Sequence, residues 1–400
     1  MREIDKFCRN FIEDICKKFG PRPSCSKKSR QTAIYIKNEM QKYCDEVYED
    51  EFYGFPGFMQ PYIGYPVLTT IFYIIAVIEY LFLPFISFIF IILAIYVSVF
   101  KLFALEEYDF FYYFYPKRKG INIIGKIMPE NDSKKLVIFG SHHDSAYIFP
   151  LFTKWKKKLV YFIYIITLFA AIFLILTILQ LIYKNLLFNL QILLVLQYLI
   201  VIPIIGFGFV LIFGLYFISP KKSLGANDNL SAVSVCLAIA KKLKETKKLK
   251  ETELWIISFD SEESGMRGSK LFVKKNFEEL TKRLTACINF DIIGVDDIIL
   301  LPTKESMYRA THSPIVYNKF KESADNLGIK VEIKKQSFGG TDSAPFSRKG
   351  LKAASVLRLS ENGFPTVWHS TNDIPENIDG KKLEEIVNIS LEFLALIDKQ

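Results

Sequence analysis

The chain has 400 residues, with 51 Lys plus Arg against 42 Asp plus Glu and a formal net charge of +9. Half of it comes from the hydrophobic set, including 36 Phe and 21 Tyr, and its mean hydropathy is positive. Such a composition excludes both an enzyme that is soluble from end to end and a transporter buried throughout.

In chain order, Met1-Arg2-Glu3-Ile4-Asp5-Lys6 opens a charged amphipathic helix and lacks the apolar core of a signal peptide. Residues 29–43 have a helical period, with Ile34, Ile36, Met40 and Tyr43 on the apolar face. Residues 46–52 alternate like an edge strand. From Tyr62 to Phe103 the only formal charges are Glu79 and Lys101. That length fits two short membrane spans turning near Glu79 to Pro84. Residues 121–127 and 136–140 read as strands, and the second ends at His142.

From Leu159 to Ile218 the only formal charge is Lys184, so two longer spans turning near Lys184 and Asn185 are expected. A core helix of a soluble domain would show a polar stripe, and residues 159–183 carry charge on no face. The basic run Lys241 to Lys248 is interleaved with Glu245 and follows an apolar-patterned stretch, which is how a solvated helix end looks, and no nucleic-acid module accompanies it. Residues 254–259 form a strand running into Glu262-Glu263, residues 287–290 one running into Asp291, and residues 352–359 a further strand.

Alternating strands and helices predict an α/β fold with a mixed central sheet flanked by helices. Residues 1–61, 105–152 and 220–400 are expected to form one domain, interrupted by transmembrane hairpins at 62–104 and 153–219. Candidate ligands lie on both sides of the second hairpin. Each insertion must therefore return the chain to the face it left, and two crossings each is the simplest count. Lys101, Lys117, Arg118, Lys119, Lys154, Lys156, Lys157, Lys158, Lys221 and Lys222 flank the spans on the domain side, so the domain and both termini are expected in the cytoplasm. The six cysteines form no recognisable zinc or redox pattern and read as free thiols.

Three predicted strands each end in a potential ligand, which gathers those side chains at one carboxyl edge of the sheet. A catalytic zinc takes imidazole nitrogen and carboxylate oxygen and keeps one position for water. Two zinc ions need a shared carboxylate. The inventory supplies this: Asp228 as the bridge, His142 and Asp291 on one ion, Glu263 and His369 on the other. A glutamate pair on a loop is ordinarily solvated surface, but here Glu262 is placed to act as general base, with metal-bound hydroxide as the attacking group. Asp144, two residues from His142, can fix its tautomer. His143 and His312 are left over.

The motifs resemble the co-catalytic zinc exopeptidases that include aminopeptidase Y, bacterial leucyl aminopeptidases and glutamate carboxypeptidase. Gly140-Ser141-His142-His143-Asp144-Ser145 is similar to their G-x-H-x-D-S, and Gly225-Ala226-Asn227-Asp228-Asn229-Leu230-Ser231-Ala232 to G-A-D-D-N-x-S-G. Phe259 to Ser269 resembles F-x-x-E-E-x-G-x-x-G-S, Asn289 to Gly294 resembles N-x-D-M-I-G, and His369 to Asp373 resembles H-T-x-x-D. Gly20-Pro21-Arg22-Pro23 belongs to the same likeness. Asn227 replaces an Asp, Ser343 stands where relatives often carry His, and the two hairpins have no counterpart.

The resemblance implies an aminopeptidase that takes residues from the amino end of peptides, and the two apolar hairpins would anchor it in a membrane. A one-zinc glutaminyl cyclase and a non-catalytic receptor on the same fold are the alternatives. The second hairpin starts a few residues after Asp144 and ends a few before Asp228, from which the cleft is expected to open beside the bilayer.

Overall fold

The computed structural model describes residues 3–60, 64–102, 115–155, 157–187, 189–246, 249–336 and 339–399. Residues 61–63 and 103–114, where the sequence places both ends of the first hairpin, lie outside the described residues, as do Met1, Arg2, Lys156, Lys247 and Lys248. The chain divides into two compact units, one of Met1–Pro56, Tyr113–Tyr147 and Lys222–Gln400, the other of Gly57–Tyr112 and Ile148–Lys221.

The first unit is built on one mixed sheet of nine strands: β1 (Glu46–Gly54), β2 (Arg118–Ile127), β3 (Lys135–His142), β4 (Thr252–Phe259), β5 (Leu284–Asp291), β6 (Ile298–Glu305), β7 (Ala310–Thr311), β8 (Val331–Gln336) and β9 (Ala353–Leu359). Their order is β1-β2-β4-β3-β5-β9-β6-β7, with β8 beside β6. The central strands β4, β3, β5 and β9 are parallel, and the outer pairings β1–β2, β2–β4 and β6–β9 are antiparallel.

The central strands are continuous apolar runs because helices cover both faces. Side chains alternate across the sheet. Val137, Phe139, Leu254, Ile256, Ile288 and Phe290 enter the larger core, and Leu136, Ile138, Trp255, Ile257, Phe259 and Cys287 enter the other. The larger core is closed by helices Glu3–Phe19, Ser231–Thr246, Pro314–Asn326 and Gly380–Asp398, with Phe139 in edge contact with Phe290 at 5.3 Å. Each aromatic or aliphatic side chain buried there contributes about 2–3 kcal/mol.

The helix expected over residues 29–43 runs from Lys27 to Met40, with Ser26 capping Ser29 N. Its buried face is Ala33, Ile36 and Met40, whereas Ile34 is 49% exposed: Ile34 and Ile36 lie about 200° apart on a helix, so both cannot face the sheet. Three strands were not expected. β6 contains Pro302, which reads against a strand, and β8 is mostly charged.

The second unit is helical. Tyr65–Phe82 and Pro84–Leu102 break at Leu83, where Pro84 opens the next helix. Lys157–Ile182 passes through a turn at Tyr183–Leu187 into Leu190–Tyr198 and then Val201–Tyr216. Three stretches are long and apolar enough to cross a membrane: Tyr65–Phe82, Tyr161–Leu186 and Leu190–Tyr216. A fourth apolar helix, Pro84–Ser98, is shorter. Hydroxyls tie these helices by donating to backbone carbonyls, Tyr80 to Leu196 at 2.8 Å and Ser87 to Ala76 at 2.7 Å. A Cβ at Gly206 would lie 2.7 Å from Tyr73 Oη and 2.8 Å from Phe169 Cβ, so only glycine allows that approach. Lys184 Nζ donates to Phe82 O at 3.3 Å, which joins the two turns at one end of the unit.

Candidate metal centre

Parallel register carries the candidate residues to one edge. His142 ends β3 opposite Phe259 at the end of β4, and Asp291 ends β5 opposite Leu357 of β9. The loop after β4 supplies Glu262 and Glu263, and the segment Ala226–Leu230, ahead of a long helix, supplies Asp228.

All seven residues singled out by the sequence come together there. His142 Nε2 lies 3.3 Å from Asp228 Oδ1, 3.7 Å from Asp291 Oδ1 and 3.9 Å from Glu262 Oε2. His369 Nε2 lies 3.4 Å from Asp228 Oδ2 and 3.1 Å from Glu263 Oε2. Two donors on one tetrahedral zinc sit roughly 3.4 Å apart. The groups His142, Asp228, Asp291 and Asp228, Glu263, His369 each bring three donor atoms within 4.8 Å of one another. Asp228 belongs to both and offers one oxygen to each.

The donor set fits metal. His142 Nε2, Asp228 Oδ2, Asp291 Oδ1 and Glu263 Oε1 are buried and have no hydrogen-bond partner among the described residues. Unpaired buried polar atoms are rare and costly unless something outside the chain satisfies them. Burial lowers the His142 pKa, but the neighbouring carboxylates of Asp144, Asp228 and Asp291 reverse that and raise it well above 6.5. Burial and the Asp228 charge push Glu263 up to about 7, and burial, Glu263, Asp342 and Asp291 raise Glu262 well above the usual carboxylate range. Five acids around two imidazoles form a site that demands cationic charge.

Backbone strain accompanies the ligands. Ile292, directly after Asp291, has φ +47°, and His369 has φ +49°. A β-branched residue in that region costs about 1–3 kcal/mol. Asn229 and Asn227 hold it in place: Asn229 Oδ1 accepts from Ile292 N at 3.3 Å and Asn227 Oδ1 from Gly294 N at 2.7 Å.

Sequence reasoning missed most of the supporting contacts. Asp144 lies 3.4 Å from His142 Nδ1 as expected, and its oxygens also accept from Glu262 N and Glu263 N at 3.2 Å each and from Ser24 Oγ at 2.6 Å. Asp373 accepts from Asn227 N at 2.5 Å and Asp228 N at 3.3 Å, so it fixes the loop that carries Asp228. Arg22 is fully buried and donates to the carbonyls of His143, Leu224 and Gly225 at 2.7 to 3.0 Å, tying together two segments that lie 81 residues apart at His143 and Leu224. The only prior signal for these roles was the company Arg22 and Asp373 keep in their motifs.

His143 turns away and bonds Ser258 Oγ at 2.9 Å, with burial pushing its pKa down to about 3. His312 sits in a separate buried cluster, its Nε2 3.1 Å from Glu305 Oε1. Beside Asp291 a cavity of about 290 Å³ is lined by Ile292, Leu300, Leu357, Phe364 and Trp368, and the Trp368 ring lies 4.0 Å from that of His369.

The sequence profile of Peptidase family M28 matches residues 211–394, a stretch that holds Asp228, Glu262, Glu263, Asp291 and His369. The match covers a little under half of the chain. The chain is a metallopeptidase of the zinc-dependent type by this match. No curated protein sequence matches the chain.

Solved structures share the fold of this chain at low identity. A zinc aminopeptidase from Bacillus subtilis matches with TM-score 0.58 and 15% identity over 99% of this chain and 96% of its own. A leucine aminopeptidase precursor from Bacteroides thetaiotaomicron gives 0.57 and 16% over 98% and 96%, and a glutaminyl cyclase from an Acidobacteriales bacterium 0.57 and 13% over 100% and 96%.

Proposed function

We propose that the chain is a membrane-anchored aminopeptidase that uses two zinc ions. The observation that carries this reading is Asp228, whose two oxygens face separate groups of one histidine and one acid. His142 and Asp291 would hold one ion, Glu263 and His369 the other. Zinc bound there would acidify water and polarise a carbonyl.

The remaining chemistry belongs to side chains. Glu262, with its pKa raised by burial and neighbouring acids, can accept a proton from the attacking water and pass it to the leaving amine. Asp144 holds both the His142 ring and the Glu262–Glu263 backbone, so base and ligands are aligned by one carboxylate. The cavity at Asp291 is at the small end of ligand pockets and suits one apolar side chain, that of the residue being released.

Residues 1–61, 105–152 and 220–400 would form the peptidase domain, with hairpins 62–104 and 153–219 crossing the bilayer four times in all. Ligands on both sides of the second insertion require an even number of crossings there. Flanking lysines and arginines favour a cytoplasmic domain. The test is cleavage of matched peptides with free and blocked amino ends by purified protein. The reading expects the free series to be hydrolysed and the blocked series to resist; equal cleavage of both would overturn it. The fold likeness to a glutaminyl cyclase supports a second reading with one zinc, which predicts cyclisation of amino-terminal glutamine in place of hydrolysis.

A further inference from the structure

A groove on the sheet unit carries charge that the peptidase reading does not use. It is shallow, about 570 Å³, and its walls include Glu51, Tyr53, Phe55, Lys117, Arg267 and Lys274. Glu51 is already matched, 2.5 Å from Lys119 Nζ, and Lys275 at the rim is matched by Asp50 at 2.5 Å. Lys117, Arg267 and Lys274 have no carboxylate partner among the described residues. Lys117 Nζ and Arg267 Cζ lie 6.0 and 5.9 Å from the Phe55 ring centre. Arg267 Nε is buried and has no hydrogen-bond partner among the described residues.

Cations crowded around one ring repel each other unless an anion lies between them. A buried guanidinium donor without an acceptor points the same way, since such groups are ordinarily satisfied. The position along the chain says which anion. Gly54 pairs with Arg118, so Phe55 and Lys117 leave and enter the sheet side by side. Phe55 stands ten residues before Tyr65, the first residue of an apolar helix, and Lys117-Arg118-Lys119 opens the return from that helix and its partner. Tyr53, 62% exposed, is the amphipathic aromatic type enriched at membrane–water interfaces.

We infer that this groove binds the phosphate headgroup of an anionic phospholipid. The inference rests on the membrane reading above. Lys117 and Lys274 supply charge, Arg267 supplies planar donors for phosphate oxygens, and Phe55 and Tyr53 offer apolar surface to the glycerol. Recognition is by charge. Phosphatidylglycerol qualifies, and zwitterionic phosphatidylcholine does not.

The test uses the full chain in non-ionic detergent, with lipid retention read by native mass spectrometry against added phosphatidylglycerol, phosphatidylcholine or glycerol phosphate. Wild type is expected to prefer phosphatidylglycerol, and Lys117→Gln with Lys274→Gln to weaken that preference about fivefold per lysine. Lys319→Gln with Lys321→Gln, a pair already matched by Glu322 and Asp325, is expected to change nothing. Peptide cleavage by both double variants should equal wild type, which shows that they fold. Survival of the preference in the groove variant overturns the inference, as does its absence from wild type. Glycerol phosphate competing as well as the lipid would assign the groove to a free anion and overturn it too. An alkaline carbonate wash separates the two failures: release of the chain from membranes sinks the membrane reading, and a retained chain indifferent to headgroup sinks the groove alone.

Discussion

Both units bury an apolar core, but they differ in what they expose. In the sheet unit the apolar side chains of the central strands are fully enclosed, and one cluster of buried charged residues gathers at one edge. In the helical unit Leu168, Ile175, Ile204 and Leu215 are exposed by 50–59%, and hydroxyls such as those of Tyr80 and Ser87 turn inward to carbonyls. The contrast follows from the solvent each unit suits. Water stabilises a polar outside and leaves the sheet unit free to concentrate charge where metal would neutralise it, whereas a lipid exterior requires every backbone polar group to find a partner within the protein.

The largest effect expected from breaking this arrangement is at the base. Glu262→Gln should retain bound metal while lowering kcat by about 10²–10⁴-fold, because it removes proton transfer and leaves the ligands intact. Metal content and turnover measured on the same sample check this, and near-wild-type turnover would remove Glu262 from the mechanism.

Next comes a charge placed on each exterior. Leu168→Arg on the helical unit should oppose membrane insertion by about 2.5–3.5 kcal/mol, whereas Ile34→Arg, also exposed on the sheet unit, should change stability by no more than about 0.5 kcal/mol. Membrane-fraction yield and thermal unfolding read the two. Equal tolerance of both would erase the distinction between the units.

A smaller effect tests support rather than contact. Asp373→Asn keeps the shape but replaces one of the two acceptor oxygens that fix the backbone of Asn227 and Asp228, and zinc affinity should fall about 10- to 100-fold. Competition with a chelator of known affinity measures it.

The smallest concerns pH. Burial would raise the Glu253 carboxyl, but hydrogen bonds from Trp255 and Arg283 outweigh it and hold its pKa below the ordinary value. A depressed carboxyl stabilises the fold above its unfolded pKa of about 4.3 and loses that contribution as pH falls through the folded value. Glu253→Gln should therefore cost roughly 1–2 kcal/mol at pH 7, a deficit that closes on acidification. A deficit constant with pH would show that the Glu253 charge is not involved.

The strands that end in ligands were legible because parallel strands covered on both faces are short uniform apolar runs, and their ends coincide with His142, Glu262 and Asp291. The candidate ligand set was legible because metal chemistry restricts residue type, and the fold brings those residues together. What stayed hidden was support that depends on contacts across long sequence separations. Nothing local distinguishes Ser24 from a surface serine, yet it donates to Asp144 120 residues away. Arg22 reads as one more positive charge until its carbonyl partners are in view. β6 and β8 were missed because Pro302 and a charged run contradict strand propensity, and the pairing of β6 with both β8 and β9 overrides it.

The account turns on one carboxylate shared between two ions, and the most direct measurement is the zinc content of purified, detergent-solubilised chain, wild type beside Asp228→Ala. About two zinc ions per wild-type chain, with both weakened together by the substitution, is the predicted result. A single zinc in wild type, or an Asp228→Ala chain that still binds two, would contradict it.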